Sequence, residues 1–381
     1  MKILITTDLF TTETNGVVTS VRNLSEELTG KGHEVKILTL SENMHSHRDD
    51  NVYYIRSMPL GVVYPDVRMP LSYRHKLIKE LIRWNPDVIH SQCEFFSYQF
   101  ALHISKRTGA PIVHTYHTLY EQYVTYVMPS KRLGRRVVRV LSRKRLKRAS
   151  AVIAPTPKVE DALRGYGLNN PISVVPSGIS LDQHKKRISK EARSQKRQAL
   201  GITDDKTVLI NLGRLGTEKN LAEIVHLFVK ASETNPSLML LFVGGGPAKE
   251  DLEKLVKKLG ITDKVIFTGM VSPKEVQEYY QLGDIFVSAS TSETQGLTYV
   301  EAAANGLPLL CRKDPCHRGV LIEGENGYSY TNEEEFLHNI DTMLKNPGWI
   351  ALAGKRSEEL AEAFDKKHFG DAVKSVYDTV I

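Results

Sequence analysis

Residues 207–220 read Thr-Val-Leu-Ile-Asn-Leu-Gly-Arg-Leu-Gly-Thr-Glu-Lys-Asn, a short apolar run followed by a loop that contains two glycines and two cations. A stretch of helical period, 221–232, comes directly after this loop. This order is typical of a strand–loop–helix unit of a parallel sheet. Strands of the same kind are predicted in this half of the chain at 207–212, 238–243, 264–268, 284–288 and 307–311.

The first half of the chain shows the same alternation of apolar runs and helical patterns. Strands are predicted at 2–6, 34–40, 52–56, 87–90, 111–115, 151–154 and 172–175. Helices are predicted between them, for example at 17–29, 72–83 and 95–107. Alternation of this kind indicates parallel sheets with crossover helices.

The polar stretch 181–206 interrupts the alternation and is predicted as a linker. We therefore predict an α/β protein of two Rossmann-like, doubly wound domains, 1–180 and 207–365, which face an interdomain cleft. The end of the chain has helical periodicity, and helix 366–381 is expected to pack back on the first domain.

Composition excludes several classes of protein. The 381 residues, with 41% hydrophobic and 25% charged residues, are those of a globular protein. No apolar run reaches the roughly 18 residues that a spanning helix needs, and the N-terminus lacks the pattern of a signal peptide. Three cysteines fit a reducing compartment, and Cys311 and Cys316 are more typical of small buried residues than of a metal site.

Glycine and histidine residues follow two predicted strands of the first domain. Gly16 lies in the loop between the strand that ends before Asp8 and the next helix, where it lets backbone amides approach a phosphate or simply forms a turn. His114 and His117 follow the strand 111–115. A metal site, contact with a ligand at the strand end and a structural role are the three interpretations of these histidines.

The second domain carries charges at two strand ends. Arg214 and Lys219 suit a diphosphate, or are solvated surface charges. Glu293 precedes a helix that contains Glu301 and ends at Gly306-Leu-Pro308. Two carboxylates at a helix start suit sugar hydroxyls, while the free helix amides favour an anion, but such acids are also common on ordinary helices.

Together, Glu293-x7-Glu301, Gly213-Arg214 and Glu218-Lys219 resemble glycosyltransferase family 4, of the GT-B fold, and the resemblance covers nearly the whole chain. It implies that Arg214 and Lys219 bind the donor diphosphate, that Glu293 and His117 contact the transferred sugar, and that Glu301 holds the ribose. His117, Arg214, Lys219 and Glu293 are the implied catalytic residues. The full set of donor-binding residues expected is Gly16, Arg214, Lys219, Met270, Val271, Glu293, Gln295, Gly296, Leu297, Thr298 and Glu301.

A basic segment, 131–148, is relevant to the molecule that would accept the transferred sugar, because it suits a membrane surface. It has ten Lys or Arg residues and no acid, and Leu133, Val137, Val140 and Leu141 fall on one helical face. A helix on an anionic membrane and a solvated helix that packs its apolar face on the domain are both compatible with this pattern. The predicted membrane-binding residues are Lys131, Arg132, Arg135, Arg136, Arg139, Arg143, Lys144, Arg145, Lys147 and Arg148.

Residues 292–299 also resemble the subgroup of the family that glucosylates diacylglycerol. This resemblance implies a retaining transfer of glucose from UDP-glucose to 1,2-diacylglycerol. Together with the basic segment, it predicts a peripheral enzyme at the cytoplasmic face of the membrane. No metal cofactor is expected, because the cations and the helix dipole fill that role, and no nucleic-acid partner is expected, because the sequence has no nucleic-acid module. The apolar stretch 58–70 is either an acyl-chain groove or a buried connection. Alternatives are another acceptor (a glycolipid, a phosphoinositide or a polysaccharide), a non-catalytic partner subunit and a nucleotide-sensing regulator.

Overall fold

The computed structural model describes residues 1–11, 15–60, 68–122 and 130–381. Within these residues the chain divides into two compact units. The first unit comprises Met1–Ile179 and Lys366–Ile381, and the second comprises Ser180–Asp365.

The described part of the first unit is built on a nine-stranded sheet. Its strands are β1 (Lys2–Thr6), β2 (Glu34–Ser41), β3 (His47–Asp49), β4 (Val52–Pro59), β5 (Arg68–Pro70), β6 (Val88–Ser91), β7 (Ile112–Thr115), β8 (Ala151–Ala154) and β9 (Ile172–Val174). The order is β3-β4-β2-β1-β6-β7-β8-β9, with β5 beside β4. All pairs are parallel except β3 and β5 on β4. The chain therefore winds in one direction from β1 to β4 and in the other from β6 to β9.

Helices cover both faces of this sheet. They are α1 (Gly16–Gly30), α2 (Lys76–Trp84), α3 (Phe96–Thr108), α4 (Lys131–Leu146) and α5 (Pro157–Gly165). The predicted helix 72–83 begins later, at Lys76, because His75 has an extended backbone and its ring Nδ1 caps α2 by accepting from the Leu77 amide at 3.3 Å. Residues 61–67 of the apolar stretch 58–70 lie outside the described residues, and its ends form part of the β4–β5 ladder.

The second unit has a six-stranded parallel sheet in its described residues. The strands are β10 (Thr207–Leu212), β11 (Leu238–Val243), β12 (Val265–Phe267), β13 (Ile285–Ser288), β14 (Leu309–Arg312) and β15 (Gly327–Tyr330), in the order β12-β11-β10-β13-β14-β15. The helices are α6 (Leu181–His184), α7 (Lys190–Ala199), α8 (Leu221–Thr234), α9 (Lys249–Lys258), α10 (Val276–Tyr280), α11 (Leu297–Ala304), α12 (Glu333–Lys345) and α13 (Pro347–Ala361). Strand β15 is not among the strands predicted from the sequence.

Residues 181–206, predicted as a linker, instead form α6 and α7 and belong to the second unit. Arg197 explains why so polar a stretch folds. Its side chain is 1% exposed, and its Nη2 donates to the Leu282 carbonyl and to the Asp284 carboxylate, each at 2.7 Å. Because a buried guanidinium is tolerated where its donors are satisfied, these bonds hold α7 against the start of β13.

The last helix, α14 (Lys366–Asp378), completes the core of the first unit. Phe369 and Val373 are buried in a cluster that includes Ile3 of β1 and Leu24 of α1. The Tyr377 hydroxyl lies 2.7 Å from Nδ1 of His90, at the centre of the sheet. The end of the chain is therefore a structural part of its first half.

Replacement of Phe369 by alanine should lower the free energy of unfolding of the first unit by about 3–5 kcal/mol, because it removes a buried ring and leaves a cavity. The chain has two tryptophans, Trp84 in the first unit and Trp349 in the second. Urea unfolding is measured by fluorescence in a Trp349→Phe background, where Trp84 reports on the first unit. Exposed Ser375→Ala is the control, and an equal loss in both variants would contradict the packing role of α14.

Candidate functional site

The loops that follow β10 and β13 form the candidate site of the second unit. The chain runs from β10 to β11 and β12 on one side, whereas β13 begins the other side. Ligands of doubly wound sheets bind at the carboxyl ends of the two strands where the order reverses. That position lies between β10 and β13, and their loops carry Arg214, Lys219 and Glu293.

The structure brings the cations and carboxylates of these two loops together. Nζ of Lys219 donates to Oε1 of Glu293, and Nη2 of Arg214 donates to Oε1 of Glu218. The Ser292 hydroxyl donates to the Glu218 carbonyl at 3.1 Å, which ties one loop to the other. Lys219 is thus fixed to the loop that follows β13, whereas Arg214 pairs within its own loop, and both cationic side chains remain partly exposed.

Helix α11 points its N-terminus at the same strand ends. Gly296 precedes the helix with a φ of 73°, and no side chain of the described residues caps it. A Cβ atom at Gly296 would lie 2.4 Å from the ring of Tyr299, so both the backbone conformation and the close packing require glycine. The first amides, at Leu297 and Thr298, therefore present the positive end of the helix dipole to this edge, beside the buried Gln295.

Glu301 lies one turn further along α11 and is bound by a residue that the sequence analysis did not identify. The Tyr280 hydroxyl, at the end of α10, donates to Oε2 of Glu301 at 2.8 Å. Burial raises the pKa of Glu301 to about 7, and the hydrogen bond from Tyr280 opposes this shift. Tyr280 was not predicted as a site residue because its partner, Glu301, lies 21 residues away, and no local sequence pattern reveals a contact over that distance.

A glycine loop after β11 also reaches this edge. A Cβ atom at Gly244 would lie 2.1 Å from the Gly213 carbonyl oxygen, and Leu215 donates its amide to the Gly245 carbonyl at 2.8 Å. Met270, 71% exposed, lies over Gly245, and Val271 follows it. The run Gly-Gly-Gly-Pro at 244–247 was not singled out in the sequence, although three glycines directly after a strand are a signal that could have identified this loop.

The first unit holds Gly16 and His117. Asn15 caps α1 by accepting from the Val17 amide at 2.9 Å, so Gly16 is the first helical residue. His117 follows β7, and its Nε2 lies 2.7 Å from Oε1 of Gln92. Burial lowers the pKa of His117 to about 3, which keeps the ring neutral.

The two candidate metal-binding histidines have different partners. His114 binds Glu94, with Nε2 to Oε1 at 3.2 Å, whereas His117 binds Gln92. Nowhere in residues 1–11, 15–60, 68–122 and 130–381 does a group of three or more His, Cys, Asp or Glu side chains lie together as metal ligands would.

Helix α4 exposes the apolar face that the sequence predicts. Leu133 is 54% and Val140 58% exposed, and Val137 and Leu141 are exposed as well. The side that packs on the domain consists of other residues, namely Gly134, Ser142 and Leu146. The interpretation that the predicted apolar face packs on the domain is therefore wrong.

Most of the basic residues surround this exposed face, but one is directed inward. Arg145 is half-buried, its Nη1 donates to the Glu94 carbonyl, and its own carbonyl accepts from the Tyr98 hydroxyl at 2.9 Å. Its guanidinium is therefore used inside the unit, contrary to its predicted place at a membrane. The side chain of Lys131 lies outside the described residues. Exposed cations are Arg132, Arg135, Arg136, Arg139, Arg143, Lys144, Lys147 and Arg148. Throughout the described chain, every helix is too short or too polar to cross a bilayer.

Two family models match the chain, Glycosyltransferase Family 4 over residues 14–183 and Glycosyl transferases group 1 over residues 192–367. An alpha-monoglucosyldiacylglycerol synthase of Streptococcus pneumoniae is 33% identical over 372 residues, which are 96% of this chain and 84% of that protein. The chain belongs to glycosyltransferase family 4. A synthase of the same name from Acholeplasma laidlawii is 29% identical, over 99% of this chain and 96% of that protein.

The fold of this family member is GT-B, as predicted. The crystal structure of Anabaena Alr3699/HepE in complex with UDP superimposes with a TM-score of 0.77 over 100% of both chains, at 18% identity. Each family model matches one of the two units. The first model matches residues 14–183, and the second covers the elements from β10 to α13.

Replacement of Gly296 by alanine should lower the free energy of unfolding of the second unit for two reasons. Alanine is strained in the left-handed backbone conformation, and its Cβ would also displace the Tyr299 ring. Gly324→Ala is the matched control, since Gly324 has a φ of 75° and open space around its Cα. We expect about 1–2 kcal/mol for Gly324→Ala and a clearly larger loss for Gly296→Ala. Urea unfolding is followed by Trp349 fluorescence in a Trp84→Phe background, and equal losses would contradict the role of Tyr299.

Proposed function

We propose that this protein is a retaining glycosyltransferase that transfers glucose from UDP-glucose to the 3-hydroxyl of 1,2-diacylglycerol. The observation that carries the proposal is the contact between Lys219 and Glu293 at the ends of β10 and β13. In this contact Lys219, a cation that can bind a phosphate, lies next to Glu293, a carboxylate that can bind a sugar hydroxyl. The names of the two synthases that match nearly the whole chain support the acceptor.

The donor diphosphate would bind at Arg214, Lys219 and the N-terminus of α11. Both cations are partly exposed, and the uncapped helix adds unsatisfied amides that favour an anion. Glu301, oriented by Tyr280, would accept hydrogen bonds from the ribose, and the backbone at Met270 and Val271 would meet the base. UDP as the nucleotide is supported by its presence in the complex of the Anabaena protein, which has the same fold.

The reaction proposed is a same-face substitution at the anomeric carbon. The bond to the diphosphate breaks, the bond to the acceptor oxygen forms, and the leaving diphosphate takes the acceptor proton. Arg214, Lys219 and the α11 amides stabilise the departing negative charge, so that no metal cofactor is needed. Neutral His117 would hydrogen-bond the sugar beside the reaction centre.

We further propose that the enzyme works at the cytoplasmic face of the cell membrane as a peripheral protein. The exposed apolar face of α4 would enter the interface while the surrounding cations meet anionic lipid headgroups. A non-catalytic subunit is disfavoured because such a protein loses donor residues, and Arg214, Lys219, Glu293 and Glu301 are all present.

The function is tested by incubation of the purified protein with diacylglycerol vesicles and radiolabelled UDP-glucose or UDP-galactose, followed by extraction of the lipid. We expect label in the lipid phase with UDP-glucose. Lys219→Ala should lower kcat by about 10²- to 10³-fold, because a preorganised charge on the leaving group is lost. Lys254→Ala, on the exposed face of α9, is the control that should retain activity. No lipid label with either donor would contradict the proposed acceptor.

The membrane role of α4 is tested by removal of three exposed cations, Arg135, Arg136 and Arg143, as glutamines. Each cation near an anionic surface contributes about 1 kcal/mol, so partitioning to vesicles with anionic lipid should fall about 100-fold. Sedimentation with vesicles of increasing anionic-lipid content measures the change.

The control for this triple variant has the same change in net charge on another surface. Lys254, Lys257 and Lys258 of α9 are exposed and are replaced by glutamine together. A general effect of net charge would weaken both proteins equally, which would contradict a specific role for α4. Replacement of Val140 and Leu141 by serine should also weaken binding, and this loss should persist at high salt, where the electrostatic attraction is screened.

A further inference from the structure

The carboxyl edge between β1 and β6 is the place in the first unit that corresponds to the candidate donor site of the second. The strand order reverses there, because β1 leads to β2 and β4 on one side and β6 begins the other. A ligand crevice is expected at such a reversal. The residues that follow these two strands therefore define a second binding position.

The chemistry at this edge differs from that of the donor site. Asp8 lies two residues beyond β1, and Gln92, Cys93 and Glu94 follow β6 directly. The Gln92 amide donates to the Thr6 carbonyl at 2.8 Å, which brings the two strand ends together. Two carboxylates and uncharged groups, beside an Arg145 guanidinium that already donates to the Glu94 carbonyl, suit the hydroxyl of an uncharged ligand better than a diphosphate.

Asp8 is held at one of its two oxygens by a helix amide. Oδ1 accepts from the Ser97 amide in the first turn of α3 at 2.6 Å. The Ser97 side chain also interacts with the carboxyl and lowers its pKa, and the Asp8 side chain is half-buried. The Ser97 amide therefore fixes the direction of the carboxylate, which can accept a further hydrogen bond from a ligand because its two oxygens offer about four lone-pair sites.

Gln92 supplies an independent sign of a ligand at the same edge. Its side chain is buried, and Oε1 is used by His117. Its Nε2 is a buried donor with no hydrogen-bond partner among the described residues. Because buried donors are normally satisfied, a bound oxygen atom is the expected partner of this amide. Phe95, 40% exposed, adds an apolar surface next to these polar groups.

We propose that Asp8 accepts a hydrogen bond from the acceptor hydroxyl and that the β1–β6 edge is the subsite for an uncharged lipid alcohol. This inference rests on the proposed function. Asp8 orients the hydroxyl, Gln92 donates to an oxygen of the same ligand, and Phe95 contacts its apolar part.

The proposal is tested with Asp8→Asn, which keeps the side-chain oxygen that binds the Ser97 amide and removes the charge. We expect kcat/KM for diacylglycerol to fall about 10- to 100-fold, as for the loss of a hydrogen bond to a charged group. The Kd for UDP-glucose, measured by calorimetry without acceptor, should not change. Asp87→Asn is the matched control, because Asp87 binds the Lys2 amide at 2.7 Å at the opposite edge of the same two strands.

A pH profile separates orientation of the hydroxyl from a structural role. Burial raises the pKa of Asp8 to about 6, with Glu94, Cys93, Tyr73 and Arg145 as the titratable or charged groups around it. The carboxylate is the better acceptor, so kcat/KM for the acceptor should rise as the pH increases through about 6 in the wild type, and this component should be absent in Asp8→Asn. A limb near pH 7 from Glu301 should be the same in both proteins, so the difference between the two profiles reports on Asp8.

Unchanged acceptor kinetics in Asp8→Asn, or equal losses in Asp8→Asn and Asp87→Asn, would overturn the proposal. Failure of the proposed function gives a different result, since the wild type would then leave diacylglycerol unlabelled. If the wild type glucosylates another hydroxyl-bearing lipid, such as a monohexosyl-diacylglycerol, the Asp8 comparison is made with that lipid and has the same two outcomes.

Discussion

The parallel orientation of the central strands is the constraint on which the rest of this molecule depends. Parallel strands that are joined by crossover helices end at one edge of their sheet, and a gap opens at that edge where the winding reverses. In the second unit the gap lies between β10 and β13, and in the first it lies between β1 and β6. Lys219 and Glu293, which are distant in sequence, meet because this topology places the loops after β10 and β13 side by side.

The two reversals have the same geometry and opposite chemistry. In the second unit, cations are held in place by carboxylates before any ligand binds, so the positive groups do not need to reorganise when a diphosphate arrives. In the first unit, a helix amide orients Asp8 and Gln92 orients His117, while the nearby cation Arg145 is engaged by the Glu94 carbonyl. The proposed sites thus use the same strand reversal twice, once for an anion and once for an uncharged alcohol.

Much of the fold was predictable because the central strands are continuous apolar runs, and the α/β class and GT-B fold are confirmed. The strands that were missed are short: His47–Asp49 is wholly exposed, Arg68–Pro70 has three residues and ends in proline, and Gly327–Tyr330 has glycine at its start. Helix α7 was taken for a linker because its stability depends on long-range bonds from Arg197, which no local pattern reveals. The roles of Tyr280 and Gln92 were hidden for the same reason, while the assignments carried by the family motifs stay predictions.

Helix α4 shows that the apolar period of a helix does not reveal what its apolar face contacts. The period identified the face of Leu133, Val137, Val140 and Leu141, but it cannot say whether that face meets protein or solvent, and the structure exposes it. The helix can do so because its packing does not depend on that face. Ser142 meets the Tyr116 hydroxyl at 3.1 Å, and Arg145 binds the Glu94 carbonyl. Polar anchors on the inner side thus leave the apolar face exposed, and they join α4 to Glu94, which follows β6 at the edge where Asp8 lies.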